Sequence, residues 1–150
     1  MIAPSDIPPK FLSIRYVGAR IPEADAPYDV SNGANCQLFA YALLAHFGRD
    51  VPPLRSSELW EDADATDRVT GAYQPLDLLL FSESDSAWGA HVAVALGTDR
   101  AIHLSQRVGL PAIWPLSRFH EEADYRVLLG AKRPRPVPTR PLSGGLKLPG

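Results

Sequence analysis

The chain has 150 residues, an apolar fraction of 45% and a formal net charge of −2, enough to bury the core of one ordinary domain without metal or disulfide staples. Its single cysteine excludes an internal disulfide framework. Residues 132–150, KRPRPVPTRPLSGGLKLPG, carry five of the 15 Lys and Arg and no acid, so residues 1–131 hold ten basic against 17 acidic side chains; an acidic body excludes nucleic acid as the main ligand, because phosphate binding needs clustered positive charge.

In chain order, MIAPSDIPPK lacks the basic start and apolar stretch of a secretory signal, and no later apolar run approaches the roughly 20 residues of a membrane span. A cytoplasmic protein is expected, with export by a route that needs no signal peptide left open. KFLSIRYVGARI (10–21) fits a short helix or a strand, and IPEADAPYDVSNGAN is turn chemistry. From Cys36, the residues Leu38, Phe39, Leu43, Leu44 and Phe47 form an amphipathic helical pattern that stops at Gly48, with Asn32 or Asn35 as N-cap. Pro52 and Pro53 break the chain, SSELWED (56–62) reads as a second short helix, and ADATDRVTGAYQP reads as turns. Five short aliphatic runs follow: LDLLLF (76–81), HVAVALG (91–97), AIHLSQ (101–106), AIWPL (112–116) and YRVLLGA (125–131). Helices first and a meander of strands afterwards predict an α+β domain over 1–131, with a Pro-rich, basic, solvated tail over 132–150 whose partner is unknown.

Cys36 falls in the first turn of its helix, where the positive end of the dipole favours thiolate, although a lone cysteine is as readily a core residue. A histidine placed as its base changes the reading. His46 at a helix end and His120 in the charged RFHEEAD stretch, read as a loop, have ordinary structural roles. His91 and His103 lie inside strand-like runs, His91 on one face with Ala93 and Ala95, His103 with Ala101 and Ser105. These small residues leave room for something to pack over that face, such as the start of the Cys36 helix. A three-residue loop Gly97-Thr98-Asp99 would set Ala93 opposite His103 and leave His91 diagonal to it, about 7 to 8 Å away between backbone positions. A four-residue loop would separate the two onto opposite faces. In the favourable register Cys36 is nucleophile, His91 its base and His103 the orienting group. A Cys-His-His zinc site is the rival use, but no CxxC or HxxxH spacing is present, so no metal and no cofactor is expected. Trp88, in SESDSAWGA just before His91, is either a wall of the substrate cleft or an ordinary half-exposed side chain.

This order of motifs resembles the NlpC-type family of papain-like cysteine peptidases, which hydrolyse peptide bonds in bacterial peptidoglycan. PYDVSNGANCQLFAYALLAHFG is similar to the family's PY-x-x-GG stretch, Asp-Cys-Ser-Gly-Leu and helix. VPPLRSS resembles its LPR-Ser/Thr segment, QPLDLLLF its PGDLVFF, HVAVALGTDRAIHLS its HVGIYLG followed by Ile-His-Ala, and YRVLLGAKRP its closing strand. The spacing from His91 to His103 matches the family's step from base to third triad member. Asn35 and Gln37 stand where the family has Asp and Ser, Leu38 and Leu76 where it has Gly, and Asn32-Gly33 where it has Gly-Gly. Lecithin retinol acyltransferase-like proteins share the Asn-Cys-x-x-Phe stretch but place the histidine strand before the cysteine, and CHAP amidases use an acidic or Asn third member.

The resemblance implies a papain-like core with N-terminal helices on a five- to six-stranded, mainly antiparallel sheet. It implies Cys36, His91 and His103 as a catalytic triad, with Tyr28 beside the cysteine, helping to polarise or position the substrate carbonyl, and Asn35 on the substrate side. The expected activity is hydrolysis of an amide in peptidoglycan-derived peptides or a related small amide, through a thioester. Thiol acyl transfer, a catalytically inactive binding domain, and an interaction protein recruited through its tail are the alternatives.

Overall fold

The computed structural model describes residues 1–25 and 28–136. A 3-10 turn at Pro4–Asp6 precedes three helices, α1 (Pro9–Leu12), α2 (Cys36–His46) and α3 (Ser56–Glu61). Strands β1 (Thr66–Val69), β2 (Leu78–Ser82), β3 (His91–Ala95), β4 (Arg100–His103) and β5 (Ala112–Pro115) follow, then α4 (Leu116–Glu121), a 3-10 turn at Ala123–Tyr125 and β6 (Val127–Pro134). The strands form one sheet in the order β1-β6-β2-β3-β4-β5, and every neighbouring pair is antiparallel. The fold is therefore α+β, as expected from helices preceding a meander. Among the described residues no helix is long and apolar enough to cross a membrane.

The alternation of side chains along each strand divides the core into two layers. On one face Leu78, Leu80, Val92, Val94 and Ile102 pack against α2. On the other, Leu79, Phe81, Ala93, Ala95 and Ala101 pack with Trp114 and Phe119. The helix is more deeply placed than its amphipathic pattern suggests: Gln37 through Leu44 are all buried, because Ile7, Phe11, Ile14 and Leu59 close the sides that the sheet leaves open. It stops at Gly48, where φ is +83° and the Arg49 N–H returns to the Leu44 carbonyl, as a left-handed helix terminus requires.

Three expectations change. The small-residue face of β3 and β4 is not covered by α2; Trp114 and Phe119 fill it, and α2 lies over the large aliphatics of the opposite face. RFHEEAD is not a loop, since its first half lies in α4, which Phe119 anchors in the core; a six-residue helix with one buried anchor is too short for a periodic signal. The polar ADATDRV stretch contains an edge strand, β1, which exists because β6 pairs with it from Thr66↔Pro134 to Val69↔Ala131.

That same pairing carries the domain past residue 131. Lys132 is buried and its Nζ donates to the carbonyls of Trp60 and Asp62. Arg133 grips the buried Asp77 through two hydrogen bonds of 2.8 and 2.9 Å, and Arg135 pairs with Asp67. The first cations of the tail expected to be solvated are thus held within the sheet, Lys132 by backbone carbonyls and Arg133 and Arg135 by carboxylates; residues 137–150 of that tail lie outside the described residues.

The approach to α2 depends on a close backbone contact. Tyr16 and Ala34 form a parallel bridge, and Gly33 before it has φ of +93°, with room for no side chain: a Cβ there would sit 2.5 Å from Val17 Cγ2 and 3.0 Å from the Arg15 carbonyl oxygen. Left-handed strain and overpacking act together, so Gly33→Ala should destabilise the domain by about 2 to 3 kcal/mol. Urea unfolding should show a lower midpoint at unchanged slope; an unchanged midpoint would mean the segment relaxes freely.

Candidate active site

Asn35 is the N-cap of α2, its Oδ1 accepting the Leu38 N–H at 2.8 Å, and this fixes Cys36 as the first helical residue. The backbone N–H groups of Cys36, Gln37 and Val92 reach the thiol. Across the sheet, β3 turns into β4 through Gly97-Thr98-Asp99, closed by the Leu96 N–H on the Arg100 carbonyl. The pairs Val94↔Ile102 and Ala95↔Ala101 are those of the three-residue loop. The histidines therefore share a face: His91 Nε2 and His103 Nδ1 are 2.8 Å apart, with the rings nearly perpendicular at 85°. Both are buried. Trp114 and Phe119 pack on His103 at centroid distances of 4.2 and 4.6 Å, and Tyr125 stacks on His91 at 4.4 Å and 21°. Cys36 and His91 line one cleft of about 840 Å³ together with Tyr16, Arg55, Trp88 and Tyr125.

A chain of hydrogen bonds holds the two sides of this cleft in register. Arg55 Nε donates to Gln37 Oε1 at 3.1 Å, Gln37 Nε2 donates to Ser56 Oγ at 2.5 Å, and Ser56 Oγ donates to the Ala90 carbonyl at 2.5 Å. The chain runs from the residue after Cys36, through the start of α3, to the residue before His91. Gln37 and Ser56 are buried, so losing either partner would leave an unsatisfied polar group in the core.

A scan against protein-family models and a search of the curated proteins found no match. Among solved structures, the crystal structure of the NlpC/p60 domain of the peptidoglycan hydrolase SagA superposes with a TM-score of 0.54. It is 22% identical, and the match covers 84% of this chain and 91% of that one. The chain has the NlpC/p60 fold.

Within the NlpC/p60 fold, the expected residues distribute unevenly. Cys36, His91, Asn35 and Trp88 all line the cleft, with His103 directly behind His91 and Trp88 at the rim, 83% exposed. Asn35 commits its side-chain oxygen to the helix cap and its backbone N–H to the Arg20 carbonyl. Tyr28 is not beside the cysteine: it lines a separate hollow with Phe11 and Val30 and donates to Asp50 Oδ1 at 3.0 Å. Tyr16 takes the place beside Cys36, because the Tyr16–Ala34 bridge lays its strand-like segment against the start of α2. No periodicity in KFLSIRYVGARI marks it. Arg55 and Ser56 had a signal, the VPPLRSS segment, whereas Tyr125 had none.

Burial dominates the electrostatics. Desolvation pushes the Cys36 thiol above its ordinary value, opposed by the N–H groups around it and by the Arg55 charge. Burial at the resting site thus opposes the pull toward thiolate expected of the helix start. Burial, then His103, holds His91 well below 6.5; burial, then the Arg118 charge, takes His103 down to about 4. The resting site is a neutral thiol beside two neutral imidazoles. Tyr16 is raised by burial and by its proximity to Cys36.

The neutral pair makes stability depend on pH with a defined sign. Between pH 6.5 and about 4 an unfolded chain protonates a histidine that native His103 leaves neutral, so stability is full above 6.5 and falls as pH drops through this window, by about 3 kcal/mol for His103 alone. The lowered carboxyls of Asp29, Asp62 and Asp67 begin to contribute only near their unfolded value of 3.8. Urea unfolding from pH 7 to 4 should show this slope, and His103→Phe should lose a large part of it; a flat profile in the native protein would mean the pair is not held neutral.

Proposed function

We propose that this chain is a thiol-dependent hydrolase of amide bonds, acting on peptidoglycan-derived peptides or a related small amide. One observation carries the reading: the single cysteine, at the start of a capped helix, opens into the same cleft as an imidazole whose far nitrogen is held at 2.8 Å by a second imidazole. Support for the substrate class comes from the likeness to the domain of SagA, a peptidoglycan hydrolase.

His91 Nδ1 is the free nitrogen, because Nε2 faces His103. In this mechanism Nε2 carries the proton and donates to His103 Nδ1, so His103 keeps its own proton on Nε2 among the aromatic rings. His91 Nδ1 takes the thiol proton while sulfur bonds to the amide carbonyl carbon, and the N–H groups of Cys36 and Gln37 receive the oxyanion. The intermediate collapses as the C–N bond breaks and His91 returns the proton to the leaving amine. Water, deprotonated by His91, then splits the thioester into a carboxylic acid and the free thiol. Because both reactants rest neutral, the proton moves as the bond forms, and no thiolate waits in the empty cleft.

Arg55 supplies selectivity. Its Nε is committed to Gln37 and its terminal nitrogens have no partner among the described residues, whereas the cleft's other arginine, Arg107, is neutralised by Glu122 and Asp124. A carboxylate on the substrate fits there, and Trp88 forms the wall at the rim. Arg55→Leu should raise KM about tenfold more for a carboxylate-bearing muropeptide than for its amidated analogue, which feels only the loss of the Gln37 contact.

The direct test is alkylation of Cys36 by iodoacetamide against pH. Native protein should show a rate independent of pH from about pH 6 to 8, carried by His91 as base; His91→Ala should instead climb about tenfold per pH unit toward the raised thiol value. If the two profiles coincide, His91 does not serve Cys36. Cys36→Ala should abolish release of new amines from muropeptides followed by mass spectrometry; release that persists would remove the cysteine from the chemistry.

A further inference from the structure

The proposed mechanism creates an imidazolium at His91 in a place that resists positive charge. His91 is buried, and among the described residues neither it nor His103 makes an ion pair with an aspartate or glutamate. His103 from β4 and Tyr125 from the 3-10 turn after α4 touch it, and the Cys36 thiol and Asp124 border the same cleft. The Asp124 carboxylate is tied to Arg107, which also pairs with Glu122. Glu83 also borders the cleft, but among the described residues no carboxylate is hydrogen-bonded or ion-paired to either imidazole, whose polar contact is with each other.

What it has is a ring face. Tyr125 lies on the His91 imidazole at 4.4 Å between centroids and 21° between planes, a stacked contact of the kind in which a π system attracts a cation. The other aromatic rings near the pair, Trp114 and Phe119, pack on His103 instead. Tyr125 borders the cleft, and the Arg107 pairs hold the turn that carries it. We propose that Tyr125 is a positioning residue that stabilises the His91 imidazolium through its ring face, adding to the hydrogen bond that His103 makes at the Nε2 edge of the ring.

This inference rests on the reading of Cys36 and His91 as a nucleophile and base, and the two fail separately. The probe is iodoacetamide, and the quantity is the height of the alkylation rate between about pH 6 and 8, where His91 carries the reaction. Tyr125→Phe keeps the ring and removes only the hydroxyl; it should stay within about twofold of native. Tyr125→Leu keeps an apolar cover and removes the π face. Pentafluorophenylalanine placed at position 125 keeps the ring shape and inverts its quadrupole, which preserves the test should the leucine variant fail to fold. Both should lower the rate about three- to tenfold relative to Tyr125→Phe, with His91→Ala as the floor. Equal rates in the phenylalanine and pentafluorophenylalanine proteins would overturn the role of Tyr125 while leaving the base intact. No difference between native protein and His91→Ala would overturn the underlying reading instead.

Discussion

Three residues, Gly97-Thr98-Asp99, fix the relation between His91 and His103. Because side chains alternate along a strand, one residue more or less in this loop would turn one imidazole to the α2 face and leave the other among Trp114 and Phe119. With three, the strands pair as Val94↔Ile102 and the rings meet at 2.8 Å. The alanines at 93, 95 and 101 follow from the same register: they share the histidine face, and their small size admits the aromatic side chains that seal it. On the opposite face the same strands present Val92, Val94 and Ile102 to α2, so the interaction that orders the histidines also seats the helix that carries Cys36.

The cleft lies where the two layers meet, with Cys36 arriving from the helical side and His91 at the start of its strand. Such an arrangement needs a connection that does not pass through the thiol itself. The relay from Arg55 through Gln37 and Ser56 to the Ala90 carbonyl provides it with neutral, buried partners, and buried polar chains of this kind tolerate few geometries. Gln37, which departs from the serine of the NlpC-type pattern, is therefore part of the scaffold: its long amide reaches both Arg55 and Ser56, which a serine at the same position could not span.

How much of this was legible follows from the range of each interaction. The hairpin register could be read because it depends on three consecutive residues and a period of two, and the start and stop of α2 because Asn35 and Gly48 act on their own neighbourhoods. The α4 helix and β1 could not, because one is six residues with a single anchor and the other exists through pairing with β6. Tyr28 and Tyr16 were exchanged for a similar reason. Which tyrosine stands beside Cys36 is decided by a bridge between Tyr16 and Ala34, a contact across the intervening turn that no local pattern encodes. The charges of Lys132, Arg133 and Arg135 looked solvated in sequence because their partners are far away along the chain.

The raised thiol and depressed imidazoles have one cause, the removal of water, and a common consequence for the proposed chemistry. An ion pair formed in advance would need both charges stabilised in the empty cleft, where the N–H groups around Cys36 and the distant Arg55 charge are outweighed by desolvation. Burial holds the imidazoles neutral in the same way. A carbonyl entering the cleft changes the balance, because bonding to sulfur moves the negative charge from the thiol onto an oxygen facing helix N–H groups, while the proton goes to an imidazole backed by His103 and covered by Tyr125. Charge separation then coincides with substrate, and the N–H groups at the helix start favour molecules whose attack leaves an oxyanion there over electrophiles that form none.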